Sequence, residues 1–138
     1  MDELIAELRQ RQAASLELGG ASRVERQHNQ GKLTARERIA LLFDDGSFEE
    51  LGQLATHVYT PVTTIPNKHT PADGVVTGFG KIEGRQAAVV AEDFPILGGS
   101  LGINNFIKKT RMIELAQRDK LPIVWLFDGA GARTDEFI

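Results

Sequence analysis

The sequence predicts an α/β fold, and three observations carry that prediction. Two runs of strand character, 74–82 and 86–91, flank the short segment Glu83-Gly84-Arg85, which is the spacing of a β-hairpin. A segment of helical character, 104–120, follows and is broken by Leu121-Pro122. Another apolar run, Ile123-Val124-Trp125-Leu126-Phe127, comes directly after the break. Residues 92–133 therefore read as one strand–helix–strand crossover, which implies parallel strands beside the hairpin.

Each element has its own local reason. Leu4, Ile5, Leu8 and Leu16 lie near helical spacing in 3–18, and Gly19-Gly20 offers a stop. A polar helix is expected from Ser22 to Gln30, ending at Gly31. Thr34-Ala35-Arg36-Glu37 has the capping-box pattern, with Ile39, Leu41 and Leu42 as the apolar stripe of a short third helix. Asp44-Asp45-Gly46 ends that helix, and Phe48-Glu49-Glu50-Leu51 starts an extended stretch. The proline- and threonine-rich segment 60–72 reads as a loop. Ala87-Ala88-Val89-Val90-Ala91 is apolar on both faces, so an interior strand is expected there, and 123–127 reads as a second one. In the helix between them, Phe106, Ile107, Met112, Ile113, Leu115 and Ala116 are the candidate buried positions.

Composition narrows the function. A chain of 138 residues suits one ordinary domain, with 41% hydrophobic and 25% charged residues in the globular range. A net charge of −3 argues against a general nucleic-acid partner, which would need a basic face. No cysteine is present, and His28, His57 and His69 are scattered, so a zinc site is not expected. No apolar run approaches the ~20 residues of a membrane helix, and the acidic start Met1-Asp2-Glu3 lacks a basic signal region. A cytoplasmic protein without a membrane partner is the expectation.

Two glycine turns stand out, Gly98-Gly99-Ser100-Leu101-Gly102 and Gly129-Ala130-Gly131-Ala132. Turns without bulky side chains let a ligand reach the backbone, whose N–H groups can converge on one oxygen. The plainer reading is a pair of tight connections that bind nothing. Other glycine chemistries fit poorly. Thr134 stands where a dinucleotide fingerprint needs glycine or alanine, no lysine follows a glycine turn as in a P-loop, and Ser100 lacks a histidine partner in its motif.

The residues also carry a family resemblance. Gly19-Gly20, Arg23, Gln27-His28 and the block from Gly31-Lys32-Leu33-Thr34 through Asp45-Gly46-Ser47-Phe48-Glu49 resemble the amino-terminal signature of acyl-CoA carboxylase carboxyltransferase (β) subunits of the propionyl-CoA and acetyl-CoA carboxylase type. Gly74-Val75-Val76-Thr77-Gly78 with Gly84-Arg85, Glu92-Asp93-Phe94 with Gly98-Gly99-Ser100, and Asp128 to Arg133 follow in the family's order. The resemblance runs from about residue 19 to 133.

It implies a crotonase-like superhelix of β-β-α units. An amino-terminal helical segment (1–46) would precede the beginning of the catalytic domain (47–138), and the chain would be roughly the first quarter of a longer subunit. It further implies carboxyl transfer from carboxybiotin, borne on a partner carrier, to the α-carbon of a short acyl-CoA through an enolate held by backbone N–H groups, without a metal. Biotin carboxylase and carrier subunits would be partners, and dimers within a hexamer the assembly. The family's Gly-Gly pair aligns with Ala130-Gly131, which makes these two amides the expected oxyanion hole; Gly98, Gly99 and Ser100 would line the acyl-CoA channel. Lys32, Arg36 and Arg38 are candidates for CoA phosphates, against a bland reading as helix-surface charge; Arg133 is expected to order the turn and nearby carboxylates.

Two departures from the family pattern limit how far the resemblance carries over. Ala91-Glu92-Asp93-Phe94-Pro95-Ile96 replaces the family's usual Ser-Gln-Asp-Phe-Thr-Val, and Thr134-Asp135-Glu136-Phe137-Ile138 replaces Ile-Gln-Glu-Gly-Val. A non-catalytic acyl-CoA-binding or assembly module and a biotin-dependent CoA-ester decarboxylase subunit remain the alternatives. Apolar faces at 87–91 and 123–127 are expected to be incompletely covered.

Overall fold

The computed structural model describes residues 1–59 and 69–136. Three helices come first: α1 (Asp2–Ser15), α2 (Ala21–Asn29) and α3 (Ala35–Leu42). A short strand β1 (Glu49–Leu51), the hairpin β2 (Val75–Ile82) and β3 (Arg85–Glu92), the long helix α4 (Ile103–Asp119) and strand β4 (Ile123–Leu126) complete the order. Single turns of tighter helix lie at Pro71–Gly74, Leu97–Gly99 and Thr134–Glu136. Most of the proline-rich segment expected to be a loop falls outside the described residues.

The four strands form one sheet in the order β1-β2-β3-β4. Strands β1, β2 and β3 are antiparallel neighbours, whereas β4 lies parallel to β3, with Ala88 opposite Ile123 and Ala91 opposite Leu126. The hairpin turn is the two residues Glu83 and Gly84, at φ 50° and 77°. Both central residues of a primed turn need positive φ, and that geometry matches the twist of the strands. The Asp44 carboxylate locks it by accepting the Glu83 and Gly84 N–H groups at 3.0 and 2.8 Å.

Strand β3 is the centre of the core. Ala87, Val89 and Ala91 pack with Ala35, Ile39 and Phe43 of the α3 segment, whereas Ala88 and Val90 pack with Met112 and Ala116 of α4. The two-residue alternation of a strand thus sends successive side chains into opposite layers, and the sheet is covered by α3 on one face and α4 on the other. Two glycines permit close packing here. A Cβ on Gly78 would lie 2.2 Å from the Glu49 carbonyl of β1, and one on Gly80 would lie 2.5 Å from the Phe43 ring.

The capping box of α3 is present: Glu37 N–H donates to Thr34 Oγ1 and Thr34 N–H to Glu37 Oε2. Other expectations need correction. Helix α1 stops at Ser15, and its Leu4, Ile5 and Leu8 are exposed. Leu41 is exposed, because Ala35, Ile39 and Phe43 supply the face that meets β3. On α4, Met112, Leu115 and Ala116 are buried as expected, but Phe106, Ile107 and Ile113 are exposed. The buried face instead contains Asn105, Lys108 and Lys109, polar residues with partners waiting for them. Residues 87–91 are fully covered, whereas β4 is the edge of the described sheet and Phe127 beyond it is exposed.

Candidate active site

Parallel pairing of β3 and β4 sends the chain out of both strands at the same end of the sheet. In open α/β sheets ligands gather beyond the carboxyl ends of parallel strands, and both glycine turns lie there. The first turn winds through Leu97, Gly98 and Gly99 at φ 50°, 64° and 60°. Three backbone bonds zip it to the second. Ala130 N–H donates to the Gly98 carbonyl at 2.9 Å, Leu101 N–H to Gly131 at 2.8 Å, and Arg133 N–H to Leu101 at 2.8 Å. The approach is so close that a Cβ on Gly99 would lie 2.5 Å from the Asp128 carbonyl.

This arrangement decides which amides are available. The family resemblance makes the N–H groups of Ala130 and Gly131 the expected oxyanion hole, but that of Ala130 donates to the Gly98 carbonyl. The N–H groups of Gly131 and Gly98 have no acceptor among the described residues. Gly131 sits at φ 110° with open space where a side chain would project. Ser100 braces its turn: its Oγ donates to the Leu97 carbonyl at 2.6 Å and accepts from Arg133 Nε at 3.0 Å.

Buried charges hold both turns. Glu92, at the end of β3, accepts from Lys109 Nζ at 2.7 Å and from the Asp128 N–H at 2.9 Å. Arg133 bridges Asp73 at 2.7 Å, Glu136 at 2.8 Å and the Ser100 carbonyl at 2.8 Å, as its ordering role requires. Burial pushes the Asp73 carboxyl up, with Arg133 opposing it. Asp93 is fully buried; its Oδ1 accepts the Ala35 N–H at 2.9 Å and its Oδ2 has no hydrogen-bond partner among the described residues. Burial raises its pKa.

The amino-terminal helices reach the same place. Asp128 accepts from Gln27 Nε2 at 2.8 Å and from Lys32 Nζ at 2.6 Å. Burial pulls this carboxyl upward, yet those two bonds hold it below the usual carboxylate range. Lys32 also stands 4.9 Å over the Phe94 ring. Arg38 donates to the Glu92 carbonyl, whereas Arg36 forms a bidentate pair with Glu50 at 2.6 and 3.0 Å. Lys32 thus meets the start of the second turn, Arg38 the end of β3, and Arg36 joins α3 to β1. Sequence reasoning passed over Lys109, Glu92 and Gln27 as site-forming groups. Gln27 and Glu92 carried a signal, each as part of a family block, and Lys109 carried none.

A cleft of about 230 Å³ opens beside Gly98, between α2 and the first turn, and Arg23, Arg26 and Phe94 line it.

Two parallel strands thus end in zipped small-residue turns, with two amides at their junction that have no acceptor among the described residues. Residues 26–138 match the carboxyl transferase domain family, to which the chain belongs. It is 40% identical over 136 residues to the propionyl-CoA carboxylase beta chain of Roseobacter denitrificans, covering 99% of this chain and 26% of that one. It is 47% identical over 120 residues to the methylmalonyl-CoA decarboxylase subunit alpha of Veillonella parvula, covering 87% and 23%. A transcarboxylase 12S structure, described as a hexamer with methylmalonyl-coenzyme A bound, superposes with a TM-score of 0.91 at 38% identity, covering 99% of this chain and 26% of that one. The fold is therefore the crotonase-like α/β fold of carboxyltransferase chains. The chain spans about a quarter of the length of these relatives.

Proposed function

We propose that this chain contributes to a carboxyltransferase of the biotin-dependent acyl-CoA carboxylases, acting on a short acyl-CoA of the acetyl or propionyl type in the cytoplasm. The observation that carries the reading is the junction of the two glycine turns, where the Gly131 and Gly98 N–H groups have no acceptor among the described residues and open space lies beside Gly131. Such donors suit a developing oxyanion, and losing one from an oxyanion hole costs roughly 10²–10³ in rate.

Biotin, carried on a partner protein, supplies the carboxyl group. The chain's own part is electrostatic. In the net exchange the acyl-CoA would give its α-proton to the biotin nitrogen that releases the carboxyl group; as that proton leaves, charge develops on a carbonyl oxygen, and the Gly131 amide would donate to such an oxygen with the Gly98 amide beside it. Ala130 shapes the site through its bond to Gly98, and its methyl would lie 3.2 Å from a Cβ placed there. Gly99 and Ser100 line the approach, while Lys32 steadies the second turn and Arg38 the end of β3. Assembly as dimers within a hexamer, with biotin carboxylase and carrier subunits as partners, completes the proposal.

The test is to assemble a subunit carrying this chain with biotinylated carrier, ATP, bicarbonate and acetyl- or propionyl-CoA. Malonyl- or methylmalonyl-CoA is the expected product, and no product from any acyl-CoA overturns the reading. A second reading, CoA-ester decarboxylation, is favoured by the 47% identity to a decarboxylase subunit. It predicts carboxyl loss from methylmalonyl- or malonyl-CoA without ATP.

A further inference from the structure

The side chain of Glu92 lies between the two glycine turns and touches both. A Cβ on Gly99 would lie 3.4 Å from the Glu92 Cβ, and one on Gly129 would lie 2.6 Å from Glu92 Oε2. The carboxylate thus fills the space that a side chain at 129 would need. Both of its oxygens are engaged: Oε1 accepts from Lys109 Nζ at 2.7 Å, and Oε2 accepts the Asp128 N–H at 2.9 Å. Arg38 donates to the carbonyl of the same residue. The end of β3 is therefore fastened at one residue to α3, to α4 and to the turn that follows β4. Lys109 is buried in its place, with its ammonium 5.9 Å over the Trp125 ring.

The chemistry of the pair explains why a glutamate stands here in place of the glutamine usual in the family. A glutamine offers one oxygen and one amino group. If its oxygen accepted the Asp128 N–H, its amino group would face the Lys109 ammonium, donor against donor. If it turned over, the amino group would face the Asp128 N–H instead. A carboxylate accepts at both oxygens, and the ion pair keeps it from rotating. Glu92 and Lys109 therefore require each other.

Resting on the carboxyltransferase reading, we propose that Glu92, oriented by Lys109, is a positioning residue for carboxyl transfer that fixes the pose of the turn presenting the Gly131 amide. Asp128 lies three residues before Gly131, and its N–H is the anchor at the entry to the turn. The bonds from Ala130 to Gly98 and from Arg133 to Leu101 hold the remainder. With the entry anchor gone, the peptides between 128 and 131 lose one of their fixed ends. A donor aimed at developing charge works only where it is preorganised, and a misplacement of about 1 Å can cost about 10²-fold in rate.

The experiment compares two double variants in the assembled enzyme, Glu92→Gln/Lys109→Met and Glu92→Leu/Lys109→Met. Both remove the two buried charges, but only the first keeps an oxygen for the Asp128 N–H. The glutamine variant should hold kcat within about threefold of the wild type, and the leucine variant should lose about tenfold or more. The KM for acyl-CoA should move by less than about twofold in both, because the interaction acts on the transition state. Circular dichroism establishes that each variant is folded at the assay temperature. Where the leucine variant does not fold, Glu92→Gln with Lys109 retained replaces it, and the same loss of kcat is expected from the opposed donors. Equal kcat in the two variants compared, or a change confined to KM, overturns the assignment. A wild-type subunit that transfers no carboxyl group sinks the reaction alone. The placement is then read from amide NMR spectra of the 138-residue chain, in which the Asp128 and Gly131 N–H signals should shift more in the leucine variant than in the glutamine one. Equal shifts in the two overturn the placement.

Discussion

Glu92 and Lys109 form an ion pair at 2.7 Å with both side chains only 9% exposed, and the second Glu92 oxygen holds the Asp128 N–H. The pair joins the end of β3 to α4 and to the turn that follows β4. Lys109→Met leaves the Glu92 carboxylate buried and uncompensated, so a loss of about 3–5 kcal/mol is expected in urea unfolding. Glu92→Gln added to Lys109→Met should recover much of it, because the amide oxygen still accepts from Asp128 and no charge remains. A double variant no more stable than the single one would show that the pair acts through something other than its charge.

Arg133 should tolerate no substitute. It meets two carboxylates, one hydroxyl and two carbonyls from a 7% exposed position. Lysine cannot span that set with one ammonium. Arg133→Lys is expected to lower stability by about 3 kcal/mol or more, whereas Arg111→Ala, in an exposed 3.6 Å pair with Glu114, should change it by less than about 0.5 kcal/mol.

Lys108 gives stability an alkaline signature. Its Nζ donates to the Ala72 and Val75 carbonyls, and burial holds its pKa down to about 8 against an ordinary 10.5. Between those values the folded chain binds fewer protons than the unfolded one, so stability rises with pH, by at most ~1.4 kcal/mol per unit for one proton. Below pH 8 both states are protonated and this slope vanishes. Denaturation midpoints of the wild type and Lys108→Met, compared from pH 7 to 10, should differ by this rising component. Parallel curves would refute it.

Gly99→Ala should unzip the two turns. Its Cβ would fall 2.5 Å from the Asp128 carbonyl, which belongs to backbone and cannot rotate away, and its φ of 60° is strained for alanine. A destabilisation of about 1–3 kcal/mol is expected. Faster hydrogen exchange should appear at Ala130, Leu101 and Arg133, whose N–H groups close the zip. Unaltered exchange at all three would contradict the packing described.

Much of the fold was legible because local chemistry agreed with tertiary demand. The capping box at Thr34 and Glu37, the Glu83-Gly84 turn and the doubly apolar run of β3 each follow from residue type and spacing. The α4 face was misread for a physical reason. Lys108 and Lys109 look like solvent-facing cations, yet the Ala72 and Val75 carbonyls and Glu92 await them inside. Periodicity registers apolar residues and is blind to polar partners brought from elsewhere. The same blindness affects the candidate site. Both glycine turns are visible in sequence, but the bond from Ala130 to Gly98 exists only once β3 and β4 lie side by side.

The bonds from Gln27 and Lys32 to Asp128 join residues 101 and 96 positions apart. Such a closure sets the order of events during synthesis. The amino-terminal helices leave the ribosome long before the aspartate that anchors them, so the site can form only after residue 128 has been made. Distant pairings of this kind slow folding, because chain entropy is lost before the contact is gained. Refolding watched at the lone Trp125, in β4, should therefore report a late step.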